Sequence, residues 1–188
     1  MTSTQHLKEI LAERENNSPI SRQKILEWMS TDDWEALGAL YHSITDRSFS
    51  SRIEPPLKPD EYQSFARLYF GRCLREDPQG KWINSRYSAG WDLVAWIANL
   101  WKADNQDTAL AEWKSWLAEM YKQGDAELRT CLVTATLEHL FELRGMPNYF
   151  ADWKADPSLA DAHAQALEWV EHGGDSSLGE ETGLDGRT

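Results

Sequence analysis

The sequence predicts an all-α protein, a single-domain bundle of about seven to eight helices. Apolar residues recur at intervals of three and four along almost the whole chain, which is the period of a helix. β-Branched residues are sparse, and the sequence has no alternating run of useful length for a strand. A chain of 188 residues with 41% hydrophobic residues can bury a core without disulfides or a metal ion.

The first three helices are predicted from short apolar stripes and start signals. Residues 7–11 carry one apolar face of a first short helix. Ser18 followed by Pro19 predicts the start of the second helix, with Ser as the N-cap and Pro at the first helical position. Asp32 and Glu35 have the spacing of a capping box, which predicts the start of the third helix.

A proline-rich segment separates these helices from the next ones. Residues 46–59 are predicted as the main loop, because adjacent prolines are incompatible with a helix. A long helix begins near Pro59 and ends at residues 77–80. Asn84 or Ser85 is expected to cap the helix that follows.

The centre of the bundle and a helical hairpin come next. Residues 89–101 are apolar on nearly all sides, so we expect this helix at the centre of the fold. Residues 107–121 and 125–143 predict an antiparallel hairpin that resembles a solenoid repeat in kind, although its sequence does not recur. Gly124 suits a left-handed C-cap, and Asp125 suits the next N-cap.

A last helix and a tail complete the chain. Asp156 and the following Pro open a helix, and the all-helical domain is predicted to cover residues 1–172. Residues 173–188 are glycine-rich, acidic and aperiodic, which predicts a disordered tail. Five acidic side chains and one basic side chain lie from Glu171 onward.

Charge and composition limit the classes of partner and the compartment. The 31 acidic against 19 basic residues give a net charge of -12, which argues against nucleic acid and permits a basic protein partner. The N-terminus has no signal-peptide pattern, and residues 87–101 are too short to span a bilayer. Cys73 and Cys131 are predicted to be buried free thiols. We therefore expect a cytoplasmic protein that does not enter a membrane.

No motif for catalysis is found in the sequence. Phosphate-binding and dinucleotide-binding glycine patterns are absent, as is the nucleophile motif of the α/β-hydrolases. Glu138, His139 and Glu142 could face one metal ion, but no second string of this kind supplies the other ligands. We therefore expect no enzyme, cofactor or metal, and keep a metal-dependent enzyme as a third alternative.

Residues 67–92 gather basic and aromatic side chains in an acidic chain. Three arginines and two aromatic residues could form an anion or nucleotide site, since both residue types stack on bases. The competing interpretation is structural, with Asp92 held in the apolar helix by an ion pair with Arg86 or with an arginine of a neighbouring helix. The candidate binding residues of this stretch are Arg72, Arg75, Arg86, Tyr87 and Trp91.

Two further tryptophans are candidates for a protein interface. Trp113 and Trp116 are three residues apart beside Leu117, so both can hardly be buried on one narrow stripe. Exposed tryptophan on an acidic surface suits protein recognition, where Trp and Tyr are common hot spots.

Three stretches carry a resemblance to a known group of proteins. Residues 69–96 (YFGRCL, then SRYSAGWDLVAW), 124–142 (GDAELRTCLVTATLEHLFE) and 150–169 (FADWKADPSLADAHAQALEW) resemble uncharacterised bacterial all-helical immunity-type proteins of polymorphic-toxin systems. The resemblance covers about residues 60–170 and transfers no catalytic residue. It implies a cytosolic protein that binds and blocks a cognate toxin.

Residues and resemblance together give two hypotheses from different classes. The first is a non-enzymatic immunity protein that docks onto a basic toxin domain and occludes its active site. The alternative is an anion- or nucleotide-binding regulatory domain that uses the cluster of residues 67–92.

Overall fold

The computed structural model describes residues 3–173 and confirms the all-α, single-domain fold. The predicted tail lies outside the described residues, apart from Gly173 at the end of the last helix. The α-helices are α1 (Ser3–Glu15), α2 (Arg22–Met29), α3 (Trp34–Ile44), α4 (Arg47–Ser50), α5 (Pro59–Glu76), α6 (Arg86–Lys102), α7 (Asp107–Gln123), α8 (Ala126–Leu132), α9 (Glu138–Phe141), α10 (Met146–Tyr149) and α11 (Ala160–Gly173). A π-helical segment (Val133–Leu137) joins α8 to α9, and a 3-10 helix (Ala151–Ala155) precedes α11.

Two short strands, β1 (Ile20–Ser21) and β2 (Ile53–Glu54), form a parallel pair that the sequence did not predict. Ile20 pairs with Ile53, and the Ile20 N–H donates to the Arg52 carbonyl at 2.8 Å. This pairing keeps the chain extended after Ser18, so the helix start predicted there is wrong and α2 begins at Arg22. The predicted loop of residues 46–59 accordingly contains α4 and β2.

The start of α3 is capped one residue later than predicted. Asp33, not Asp32, accepts the hydrogen bond from the Ala36 N–H, at 3.0 Å. Glu35 caps a different segment, because its carboxylate accepts the N–H groups of Lys81 and Trp82 at 2.8 and 2.9 Å. The turn between α5 and α6 is thereby fixed to α3.

The starts of α6, α7 and α8 follow the predicted signals closely, whereas the last helix begins at Ala160 and not at Asp156. Ser85 caps α6, and Asp125 caps α8 by accepting the Leu128 N–H at 2.8 Å. Gly124, however, is extended (φ -70°, ψ 151°) and not left-handed as expected. A Cβ at this position would lie 2.9 Å from the Met120 carbonyl oxygen. Glycine is therefore favoured here because a side chain would clash, and not because φ is positive.

Helix α6 lies at the centre and packs against α5, α7, α8, the π segment and α9. The predicted central position is confirmed. Leu93 and Ile97 are buried, whereas Trp91 and Ala95 are exposed, so one apolar face of α6 reaches the surface. None of the helices within residues 3–173 is long and apolar enough to cross a membrane.

Candidate functional site

The arginines of residues 67–92 do not assemble into one anion site. The Arg72 guanidinium lies 4.0 Å from the centre of the Trp34 ring and pairs with Glu76 at 3.3 Å. Arg67 pairs with Glu112 at 2.9 Å. The guanidinium groups of Arg67 and Arg72 thus have partners within the protein, whereas the side chain of Arg75 is exposed.

Arg86 holds the C-terminal end of α5 from inside the protein. It is 8% exposed and donates to the Leu74 and Arg75 carbonyls at 2.7 and 3.1 Å. Its third contact is with the carboxylate of Glu127 on α8, at 3.0 Å. Arg86 is therefore a structural link between α5, α6 and α8.

The predicted ion pair between Arg86 and Asp92 is wrong. Asp92 instead accepts a hydrogen bond from the Asn84 side chain at 2.7 Å. Six residues along a helix amount to about 240° of net rotation, so Arg86 and Asp92 lie on different faces of α6.

Trp113 and Trp116 both lie on the face of α7 that packs against the core. Trp113 is fully buried and donates its indole N–H to Gln63 Oε1 at 2.6 Å. Trp116 is half-buried and packs edge-on against Trp113, with ring centres 5.2 Å apart. Gly71 of α5 lies against the Trp116 ring, and a Cβ at this position would be 3.4 Å from it. Trp113 therefore offers no surface to a partner, contrary to its selection as an interface residue.

Both cysteines are buried free thiols, as predicted. Burial raises the pKa of Cys73 to about 12 and that of Cys131 to about 11. Neither thiol is activated as a nucleophile, because a reactive cysteine needs a lowered pKa.

Four large apolar side chains are exposed on the described part of the chain, and three of them belong to one surface. Tyr87 is 50% exposed, Trp91 53% and Trp169 44%, whereas Leu68 lies apart on α5. Tyr87 and Trp91 are one turn apart on α6, so they share a face of that helix.

His139 connects the exposed aromatic residues of α6 and α11. Its ring stacks on Trp91, with centres 4.0 Å apart, and meets the edge of Trp169 at 6.2 Å. Glu142 Oε1 lies 3.1 Å from His139 Nδ1 and accepts the Trp169 indole N–H at 3.3 Å. We call Tyr87, Trp91, His139 and Trp169 the aromatic face.

The π segment places His139 beside Trp91. A π turn contains one more residue than an α turn and so rotates everything that follows about the helix axis. Gly90 lets the segment approach α6 closely, since a Cβ there would lie 2.8 Å from the Cβ of Ala135. Thr136 Oγ1 donates to the Gly90 carbonyl at 3.2 Å, which fixes the contact directly below Trp91.

Carboxylates lie beside the aromatic face, with Glu127 in a groove next to Tyr87 and Glu142 in contact with Trp169. Glu138 and Glu168 line a groove of about 450 Å³ beside Trp169 and His172, and neither carboxylate pairs with a cation within the described residues. Burial raises the pKa of Glu138, and the nearby Glu142 charge adds to this effect. We call Glu127, Glu138, Glu142 and Glu168 the acidic rim.

The sequence interpretation selected some of this surface and missed the rest. The sequence predicts Tyr87 and Trp91 as binding residues, whereas the spacing of His139 and Glu142 indicates only a possible metal site. Residues 3–173 contain no group of three or more His, Cys, Asp or Glu side chains that could hold a metal ion. Trp169 was missed, although Val170 continues the buried stripe of α11 and so places Trp169 about 100° from it.

No family model matches the chain, and comparison with curated proteins and with solved structures likewise finds no match. The structural support for the function proposed below therefore comes from the residues of the aromatic face and the acidic rim.

Proposed function

We propose that this chain is a non-enzymatic cytoplasmic protein that binds a basic protein partner through the aromatic face. The observation that supports this most is the contact of the exposed Trp91 and Trp169 rings with the half-buried His139 between them, beside the carboxylates of the acidic rim. Exposed aromatic groups in mutual contact are typical of interface hot spots. The acidic rim would attract a cationic partner and orient it over these rings.

The charge of the described body supports a basic partner. Residues 174–188 hold four acidic side chains and one basic side chain, so 27 of the 31 acidic and 18 of the 19 basic residues remain in the body. The body is thus acidic without the tail. Its exposed aromatic rings lie on α6 and α11. Glu138 of α9 and Glu168 of α11 lie beside them and pair with no cation among residues 3–173.

We further propose that the partner is a cognate bacterial toxin, which this chain neutralises by covering the toxin's active site. Support comes from the resemblance to immunity-type proteins over residues 60–170, which includes every residue of the aromatic face. Toxins that act on nucleic acid need a basic substrate-binding surface, and such a surface complements the acidic rim.

The alternative, an anion- or nucleotide-binding domain at residues 67–92, has less support. Arg86 is committed to the α5 carbonyls, and Arg72 to Trp34 and Glu76. Thermal-shift measurements with inorganic phosphate and nucleotides test it. A stabilisation of several degrees that is lost in Arg75→Ala would favour the alternative over protein binding.

Co-expression tests the immunity function. The product of the adjacent gene is expressed alone and together with this chain, and growth and complex formation are measured. We expect growth arrest without this chain, rescue with it, and a stoichiometric complex in native mass spectrometry. Absence of toxicity together with absence of a complex would contradict the proposal.

Matched variants locate the interface. Trp91→Ala and Trp169→Ala should each abolish rescue or weaken binding by about 2 kcal/mol, the usual loss at a hot spot. Leu68→Ala is the control, because Leu68 is equally exposed but lies outside the aromatic face. Equal losses in all three variants would show that the partner binds elsewhere.

A further inference from the structure

A cleft of about 610 Å³ lies at the other end of α6 from Tyr87 and Trp91. Its walls come from the end of α3, residues 50–59, the start of α5 and the last turns of α6. It shares no residue with the aromatic face or the acidic rim. A volume of this size is within the range of small-molecule sites, about 300–1,000 Å³.

None of the side chains that line this cleft is charged at neutral pH. None of its lining residues is Asp, Glu, Lys, Arg or His, in a chain of which 27% is charged. A charged ligand would lose its hydration there without gaining a counter-charge. The cleft therefore selects for an uncharged ligand.

Two aromatic rings that are tilted against each other contribute to one wall of the cleft. The Tyr62 and Trp96 rings lie with their centres 4.9 Å apart and an angle of 33° between their planes. Leu57 and Leu100 supply further apolar surface. Such a wall favours a ligand with a planar apolar group, which would stack on the exposed ring surface.

Gln63 supplies an oriented hydrogen-bond donor in the same cleft. Its Oε1 accepts the indole N–H groups of Trp96 and Trp113, at 3.2 and 2.6 Å. An indole N–H can only donate, so these two contacts determine which end of the amide is the oxygen. The Gln63 Nε2 group has no acceptor within the described part of the protein and remains available to a ligand oxygen.

We propose that this cleft is a binding site for an uncharged, largely apolar small molecule that has a planar ring system and an acceptor oxygen. The ring stacks against Tyr62 and Trp96, and the oxygen accepts from Gln63 Nε2. This site is separate from the proposed protein interface, so each proposal can fail without the other.

The neutral naphthalene ketone prodan, whose emission shifts to the blue in an apolar site, serves as the probe. We expect saturable binding of one prodan per chain. Leu57→Glu introduces a charge into the cleft on a half-buried loop residue and should weaken prodan binding by about tenfold or more. Leu68→Glu makes the same change outside the cleft and should leave the affinity unchanged, as should Trp91→Ala.

Several outcomes would overturn the proposal. These are emission that does not saturate, affinity that is unaffected by Leu57→Glu, and equal losses in the Leu57 and Leu68 variants. Circular dichroism verifies that each variant is folded.

Gln63→Glu gives a second measurement, because it keeps an acceptor for the indole N–H groups but removes the Nε2 donor. This variant should also reduce prodan binding. The anionic probe anilinonaphthalene sulfonate should bind about tenfold more weakly than prodan, and equal binding would contradict selection for an uncharged ligand.

Discussion

At the scale of single residues, neighbouring arginines of the same stretch have different tasks. Arg86 is buried and fixes carbonyls of α5, whereas Arg75, whose main-chain carbonyl it binds, exposes its own side chain. The density of basic residues was visible in the sequence. The hydrogen-bond and ion-pair partners of each guanidinium depend on which carbonyls and carboxylates the neighbouring helices bring near it.

Arg86→Ala should destabilise the protein by about 2–4 kcal/mol, because two carbonyls at the end of α5 lose a charged donor. Unfolding in urea, followed by circular dichroism, measures the loss. Arg75→Ala is the control and should stay within about 0.5 kcal/mol of the parent protein, since this side chain is exposed. Similar losses for both variants would show that Arg86 is not a structural link.

Tryptophan burial is also decided residue by residue. Trp113 is buried because Gln63 accepts its indole N–H, which a buried indole requires. Trp169 also has an acceptor, Glu142, but that carboxylate is itself exposed and holds the ring at the surface. The spacing of the tryptophans along the sequence is therefore not enough to distinguish buried tryptophans from those at the surface.

At the scale of elements, the start of α5 shows how one side chain joins two helices. Glu61 accepts the Lys58 N–H at 2.9 Å and pairs with Arg22 of α2. The pairing with Arg22 lowers the pKa of Glu61 from 4.5 to about 2, and the Lys58 N–H contributes to this shift. A carboxylate with a lowered pKa stabilises the fold above its unfolded pKa, and this stability is lost as the pH falls toward the folded pKa.

Glu61→Gln should therefore lower the melting temperature at pH 7, and the difference from the parent protein should vanish as the pH falls from 4.5 to about 2. Differential scanning calorimetry across this range measures the effect. Asp60→Asn, at the adjacent position of the same first turn, should not remove this pH dependence. A constant difference between parent and Glu61→Gln at every pH would contradict the ion pair.

The contact between α6 and the π segment depends on a missing side chain. Gly90→Ala would place a methyl group 2.8 Å from the Ala135 Cβ and 3.2 Å from Thr136 Oγ1. We expect a loss of about 1–3 kcal/mol from overpacking, reduced by the better helix propensity of Ala. It should also weaken partner binding, because Trp91 and His139 would separate.

Gly71→Ala on α5 is the matched control for this change. Its new Cβ would lie 3.4 Å from Trp116, which is an ordinary contact. The gain in helix propensity should then stabilise the protein by up to about 1 kcal/mol. Urea unfolding of both variants measures the contrast. Equal effects of the two substitutions would mean that the π segment tolerates a wider separation from α6.

At the scale of the whole molecule, charge and exposed rings should have separable effects on binding. Glu138→Gln combined with Glu168→Gln should lower the association rate of the partner about two- to tenfold and reduce its dependence on salt. Trp91→Ala should act mainly on the dissociation rate, since it removes packed contact area. Glu119→Gln on α7 is the control for charge. Surface plasmon resonance at several salt concentrations separates these effects, and equal changes in both rates for all variants would contradict the assignment.

Much of the bundle could be predicted because its signals are local. The long helix from Pro59, the caps Ser85 and Asp125, and the hairpin turn at Gly124 follow from residues a few positions apart. Strands β1 and β2 lie more than thirty residues apart, and each is too short to produce an alternating pattern. The π segment likewise packs against a distant residue, because Thr136 bonds to the carbonyl of Gly90, 46 residues earlier in the chain.

The sequence by itself determined the helical class, the main helix boundaries and the acidity of the chain, since periodicity, caps and charge are read from residues close together. Only the tertiary structure decided that His139 contacts both Trp91 and Trp169 and that Trp113 is buried. It also decided that Arg86 binds carbonyls of α5 and does not pair with Asp92. Exposure and pairing depend on what a neighbouring helix offers at each position. That information lies in the packing of distant segments and not in the period of any one helix.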